Sequence, residues 1–410
     1  MMWRLHAVAL TAKSLTQSAP EDRLLTLAQA YRRWPSGSLE SRLRRESPAV
    51  WREKKIGWQR YQAQIAGKTL IKSLILKAPG ADGEKGVLYV SFEYNWLRLL
   101  QHFDVRRLLD DYLLVCASSW SPPDFPAHWA LAHIGPEPVF MQISNPSDME
   151  LYRHFDHNIR PIPIMASDWI NPDFYEPTPQ AKREIDILMV AGWSHVKRHW
   201  LLFRALRKMR QGLRVVLIGQ DADGRTSDDV YREAKAFGVA DRIEMIRDAD
   251  IGKVTKYQCN SKMSIILSAR EGSCVAVAES LFADTPVAMM HNAHVGSRAY
   301  INAQTGVLLH AGTMHTQLGQ MIERSASFTP RAWALANITC RQATQKLNEI
   351  LREYSKSWTR DIVPMCWRPD PICVDERDNE TMQPAYEQLH KRFGIVVAGH
   401  PVRAEVTSTH

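Results

Sequence analysis

Short apolar runs rich in strand-forming residues alternate with helix-length segments from about Val87 to Met290 of this 410-residue chain. That alternation limits the fold more than any other feature. Strands separated by helices pair in parallel through crossover units, so both faces of the resulting sheet must be covered. In the first half the runs are Val87–Ser91, Tyr112–Cys116, Pro138–Ile143 and Ile162–Met165. Helices are expected near Trp96–Phe103, His128–His133 and Asp148–His157. In the second half strands are expected at Ile185–Val190, Arg214–Ile218, Ile243–Ile246, Ser264–Ser268 and Val287–Met290. Between them fall helices at Lys197–Arg210, Asp229–Phe237 and Cys274–Ala283. The helix at 229 has an acidic start and a glycine stop at Gly238.

The proline-punctuated stretch Asp168–Pro177, with the polar residues that follow it, reads as an interdomain linker. The expected domains are 1–176 (helical over 1–80, α/β over 86–176), 177–345, and a closing helix and tail over 346–410. A long helix is expected over Pro330–Ser355, followed by a tail without a clear period.

Composition excludes several classes. With 45% hydrophobic and 23% charged residues the chain is globular, and no apolar run reaches the roughly 20 residues of a membrane span. The patch Ala7–Leu10 is too short for a secretory leader, so a cytoplasmic setting is expected. The six cysteines show no CxxC spacing, and neither a zinc site nor a disulfide framework is expected. The net charge of +8 is concentrated: residues 31–77, read as helical from residue 20 on, hold twelve Lys or Arg against three Glu. Tyr31, Trp34, Trp51, Trp58 and Tyr61 lie among them. Such a segment suits peripheral contact with an anionic membrane or a phosphate-bearing lipid acceptor, or is simply a solvated face. Nucleic acid is not the expected partner.

Chemistry concentrates in Ser268–Ser280. A buried strand ends, a glycine-containing turn follows, and a helix starts, with Ser273 the expected N-cap. Unpaired amides and the positive helix end make such a turn an anion site. Glu279 shares a helix face with Val275 and Phe282, and a carboxylate there needs donors. These are two ribose hydroxyls on one reading, and a neighbouring backbone group or Arg on the other. Glu271, on the turn itself, could bind sugar hydroxyls.

Glu271 and Glu279 reproduce the E-x7-E spacing of retaining glycosyltransferases, and residues 162–345 resemble glycosyltransferase family 4. The likeness includes Asn171–Pro177, Val215–Gly219, Thr285-Pro286-Val287 and the loop Ala191–Arg198, which resembles the family's Gly-Arg…Lys-Gly loop. It implies a GT-B fold of two facing Rossmann-like domains, with the closing helix crossing back onto the first. It further implies metal-independent, retaining transfer from a UDP- or GDP-linked sugar to an unidentified acceptor, with no resident cofactor. By the resemblance, Glu271 and Lys197 are catalytic, touching the sugar and the leaving diphosphate respectively. Glu279 binds the ribose, and Gly272, Ser273 and Cys274 cradle the donor with Arg198 and Gly192. The family's loop arginine falls on Gly192 and its second glycine on Arg198. The glycine pair after the first strand is replaced by Ser91-Phe-Glu-Tyr-Asn95, so no acceptor-side role is assigned, not even to His128 or His133. The competing expectations are a GT-B epimerase or phosphorylase, and a binding protein that uses the basic segment.

Overall fold

The computed structural model describes residues 2–52, 73–81, 83–118, 128, 131, 132, 134–145, 149, 158–355, 357–368 and 370–393. Part of the basic segment (53–72), His133, and the helices expected over 128–133 and 148–157 lie wholly or largely outside them. The chain divides into two compact units, one drawn from Met1–Ala166 and Thr344–His410, the other Ser167–Ala343.

The first unit opens with helices α1 (Met2–Leu15), α2 (Pro20–Arg33) and α3 (Gly37–Arg52). Proline suits the first turn of α2, where its missing amide would have had no partner. Leu24, Leu27, Ala28 and Tyr31 recur at helical spacing and are fully buried, as is Leu43 of α3. The expectation of helix up to residue 77 is wrong at its end: Ser73–Lys77 is strand β1. It pairs antiparallel with β2 (Gly86–Ser91), Ser73 opposite Val90. The reason is burial on both faces, because Leu74, Ile75 and Leu76 are all covered and leave no alternation to read.

After β2 come α4 (Glu93–His102) and α5 (Val105–Asp111), then β3 (Tyr112–Ala117), β4 (Val139–Gln142) and β5 (Ile159–Ile162). From β2 onward the sheet is parallel and runs in sequence order. The fourth run therefore forms its strand three residues earlier than expected. The glycine-free turn after β2 places Phe92 in the left-handed region at φ 63°.

The second unit is a six-stranded parallel sheet. Its elements are β6 (Ile187–Val190), α6 (His199–Leu206), β7 (Val215–Gly219), α7 (Ser227–Ala236), β8 (Ile243–Arg247), α8 (Ile251–Cys259), β9 (Ser264–Ile266), α9 (Val275–Phe282), β10 (Val287–Met290) and β11 (Gly306–Leu309). The order β11-β10-β9-β6-β7-β8 is that of a doubly wound dinucleotide-binding sheet. A capping box between Thr226 and Asp229 starts α7, and Gly238 at φ 66° follows its end. The stretch read as a linker lies within this unit, where Trp169 and Ile170 are buried.

Beyond β11 come α10 (Met314–Glu323), α11 (Pro330–Asn337) and α12 (Cys340–Arg352). The single helix expected over 330–355 is thus two. Thr339 and Gln342 exchange the bonds of a second capping box and restart the helix. The tail that looked aperiodic forms the hairpin β12 (Met365–Trp367) and β13 (Pro371–Cys373), then α13 (Glu376–Phe393).

This tail is held to the first unit by polar contacts inside its core. The Tyr386 hydroxyl accepts from the Ile75 amide at 2.7 Å, and the Val363 amide donates to Leu76. Lys77 and Glu84, almost fully buried, form an ion pair at 2.8 Å. The Thr359 amide (2.8 Å) and hydroxyl (2.6 Å) both donate to Glu84, and the Lys77 ammonium lies 3.3 Å from the Trp358 ring centre. Burial opposes ionisation of Glu84, but Lys77 and Thr359 outweigh it and hold the carboxyl at about 2. Removing one member of such a pair strands a buried charge. Lys77→Met should therefore cost about 3–5 kcal/mol in a denaturant titration. Because the carboxyl is depressed in the folded protein, its contribution is present above about pH 4.5 and is lost as pH falls toward 2. Glu84→Gln should flatten the stability profile across that window.

Candidate active site

In the second sheet β6 and β9 are neighbours whose connections leave in opposite directions, which opens a crevice outside their carboxyl ends. A cavity of about 90 Å³ lies there. Met189–Ala191 and Ile265–Ser268 wall it, and Lys197, Glu271, Cys274, Val275 and Ala276 complete it.

The β6 side is built by a short loop. Ser194 accepts from the Val196 amide at the start of a 3-10 turn over His195–Lys197. Arg198 then adopts a left-handed conformation (φ 54°) and α6 begins. This turn carries the Lys197 ammonium to 2.7 Å from Glu271 Oε1. Arg198 donates through Nε to the Leu267 carbonyl, while its Nη2 is buried without a hydrogen-bond partner. Burial lowers the affinity of this guanidinium for its proton. Gly192 has room for a side chain, since an added Cβ would come no nearer than 3.4 Å, to Ala222. Gly219 is the glycine this crossing requires: a Cβ there would meet the Ala191 carbonyl at 2.3 Å.

The β9 side is the turn that the sequence singles out. The Ser268 hydroxyl donates to Glu271 Oε1, the same oxygen that Lys197 engages. The Glu271 amide donates to His294 (3.1 Å), and the Gly272 and Ser273 carbonyls accept from Gly296 (2.7 Å) and Ser297 (3.1 Å). The turn is thus strapped to the connection that follows β10.

The expected cap is one residue out of place. Cys274, at φ 57°, occupies the N-cap of α9, and no side chain bonds to the helix start. The Ser273 hydroxyl instead donates to Ser167 Oγ (2.6 Å) and accepts from the Ser167 amide (2.7 Å). Serine is a good cap only where its hydroxyl can turn toward the first amides, and here a buried partner claims it.

Lys197, Glu271 and Cys274 therefore converge on the cavity, whereas Gly192, Arg198, Gly272, Ser273 and Glu279 stand behind or beside its wall. Glu279 lies one turn into α9, half-buried, with Gln258 Nε2 donating to it at 3.1 Å. A side-chain amide is thus one of its partners, a donor not weighed from sequence.

Several residues escape a sequence reading. His199, fully buried at the start of α6, packs at a tilt against Trp193, and neither ring nitrogen has a hydrogen-bond partner. Burial, then Arg225 and Lys197, push it down to about 3, so it is neutral at physiological pH. Gln258 is also fully buried, and no local motif announces it.

Two Asp-x-Asp pairs, the form that metal-dependent sugar transferases use, stand in this unit at Asp221–Asp223 and Asp248–Asp250. Metal independence is expected partly on the reading that no such pair occurs in the chain, and that reading is wrong. Asp223 accepts from Ser194 Oγ (2.5 Å), Asp221 from the Ser227 amide (3.3 Å), and Asp250 caps α8 through the Lys253 amide (2.7 Å).

Burial, reinforced by Glu271, raises the Cys274 thiol well above the ordinary range. Iodoacetamide should therefore label Cys274 far more slowly than free cysteine at neutral pH, as followed by mass spectrometry. Glu271→Gln should speed the labelling.

Residues 172–325 match the family model for glycosyl transferases group 1. No curated protein matches the chain. Among solved structures, sucrose-phosphate synthase from Thermosynechococcus elongatus aligns with a TM-score of 0.52 at 13% identity, over 76% of this chain and 79% of its own. Anabaena Alr3699/HepE, solved with UDP, gives 0.49 at 13%, over 61% and 74%. A glycosyltransferase from Rickettsia africae gives 0.46 at 16%, over 59% and 76%. The second unit is thus similar to glycosyl transferases group 1 over most of its length, and the chain has the fold of the GT-B glycosyltransferases.

Proposed function

We propose that the chain is a glycosyltransferase that takes a sugar from a UDP- or GDP-linked donor bound in the second unit, with retention of anomeric configuration. The observation that carries this reading is the Lys197–Glu271 pair, facing the cavity at the order reversal of the sheet. A cation and a carboxylate in a crevice next to a helix start form a divided site. The cation and the helix amides suit a diphosphate, and the carboxylate suits sugar hydroxyls.

Lys197 and Glu271 satisfy each other at 2.7 Å. Donor entry would part them, Lys197 turning to the diphosphate and Glu271 to the sugar. Lys197 would then offset charge as the glycosidic bond breaks and the diphosphate leaves, the step in which cation contacts gain most strength. The α9 start lacks a side-chain cap, so its amides are left to an anion. Glu279, anchored by Gln258, would accept from the ribose hydroxyls. Neutral His199 adds no competing positive charge behind Lys197. The acceptor is unassigned, and the reading extends neither to it nor to a biosynthetic pathway.

The test begins with thermal shift against UDP, GDP, ADP and their sugars, where a ligand at about 100 times its dissociation constant adds about 2.7 kcal/mol. One nucleotide class should raise the melting temperature, and Glu279→Ala should abolish that rise. Lys197→Met should lower transfer by about 10²–10³-fold while leaving the melting temperature of the free protein nearly unchanged. A protein that responds to no nucleotide would overturn the reading. One that splits the donor equally well without any acceptor would overturn transfer as the reaction.

A further inference from the structure

Helix α1 is apolar on two sides, and among the described residues only one of them is buried. Ala7 and Ser14 are fully buried and Leu10 packs into the core of the first unit, which accounts for the inner face. The opposite face holds Leu5 (63% exposed), Val8 (54%) and Leu15 (68%), with exposed Ala12 between them. Residues 5, 8, 12 and 15 follow the three- and four-residue spacing of a single stripe. Trp3, also exposed, shares the side of Ala7 and Leu10 and is not part of the stripe. A surface helix normally turns charged and polar residues outward, and large aliphatic side chains exposed in a row are unusual.

Charge identifies what this face fits. No Asp or Glu occurs in Met2–Leu15, while Arg4 borders the stripe on one flank and His6 and Lys13 on the other, all three exposed. The Arg4 guanidinium lies over the Trp34 ring at 5.4 Å, which sets the start of α1 beside the end of α2 and its Arg32 and Arg33. Across residues 2–52 there are nine Lys or Arg against four Asp or Glu. An apolar stripe edged by cations matches the two-part chemistry of a helix lying in a membrane interface. The aliphatic groups reach the acyl boundary while the long cationic side chains meet phosphate headgroups.

We infer that α1 is a docking surface for an anionic lipid bilayer, with Leu5, Val8 and Leu15 seated at the acyl boundary and Arg4 and Lys13 on the headgroups. Three aliphatic side chains alone hold a protein weakly, so attachment requires both the apolar stripe and the charge. It is therefore sensitive to lipid charge and to salt. No helix among the described residues is long and apolar enough to cross a membrane. The inference does not depend on the donor site.

The test is co-sedimentation of the full chain with vesicles of phosphatidylcholine alone and of phosphatidylcholine mixed with phosphatidylglycerol. Binding is expected only to the mixed vesicles, and it should weaken as salt rises. Leu5→Gln combined with Val8→Gln should reduce it on the order of tenfold or more. Both side chains are exposed, so the melting temperature should not move. Should that pair perturb folding, Arg4→Gln with Lys13→Gln provides a second test through charge. Undiminished binding in both variants would assign attachment to another surface and overturn the inference. So would a protein that ignores vesicles but forms a dimer that Leu5→Gln abolishes, because the stripe would then be an interface between copies of the chain.

Discussion

A parallel sheet adds strands through right-handed crossovers, so a chain can reverse its direction of growth only by leaving a gap between two outgoing connections. In the second unit that reversal falls between β6 and β9. The loop from β6 delivers Lys197, and the turn from β9 delivers Glu271 and Cys274. The cavity follows from strand order, and the two loops supply its chemistry. Gly219 bears on the same constraint, because its close approach to the Ala191 carbonyl lets β7 and the β6 loop run side by side.

The first unit is organised differently. Among the described residues its sheet grows without reversal and ends in an antiparallel edge, β1. Closure comes from the far end of the sequence, where α13 bonds to β1 through Tyr386 and the segment around Thr359 bonds to Glu84 in the turn after β1. Strand, hairpin and tail helix thus depend on one another. Residues 344–393 are structural parts of the first unit, although more than 170 residues separate them from its sheet.

The alternation of strands and helices was legible wherever a buried parallel strand leaves a short apolar run, and Val287–Met290 coincides with its strand. Fine local chemistry was legible too: Gly238 marks the end of α7. Other features were not. β1 carries a lysine whose partner lies across a turn, so its sequence resembles the basic helices before it. The break between α11 and α12 was signalled by Thr339-Cys-Arg-Gln342, a capping pattern hidden within a stretch of good helix formers. At the site, Lys197 and Glu271 could be named from their loops, but their mutual contact could not, because 74 residues separate them. Gln258 is 21 residues from Glu279 and meets it only through packing of α8 on α9. Ser273 misled because capping preference is local, whereas the pull of Ser167 is not.

The cavity is flanked by two residues that an L-amino acid chain would rather not place where they are: Arg198 at φ 54° and Cys274 at φ 57°. Each left-handed side-chain residue costs about 1–2 kcal/mol relative to glycine, which would adopt the same turn freely. Neither position is a glycine, so the unit gives up stability on both sides of the crevice to keep a guanidinium and a thiol there. Both loops therefore carry a conformational cost built into the fold, and a ligand meets walls already bent to shape.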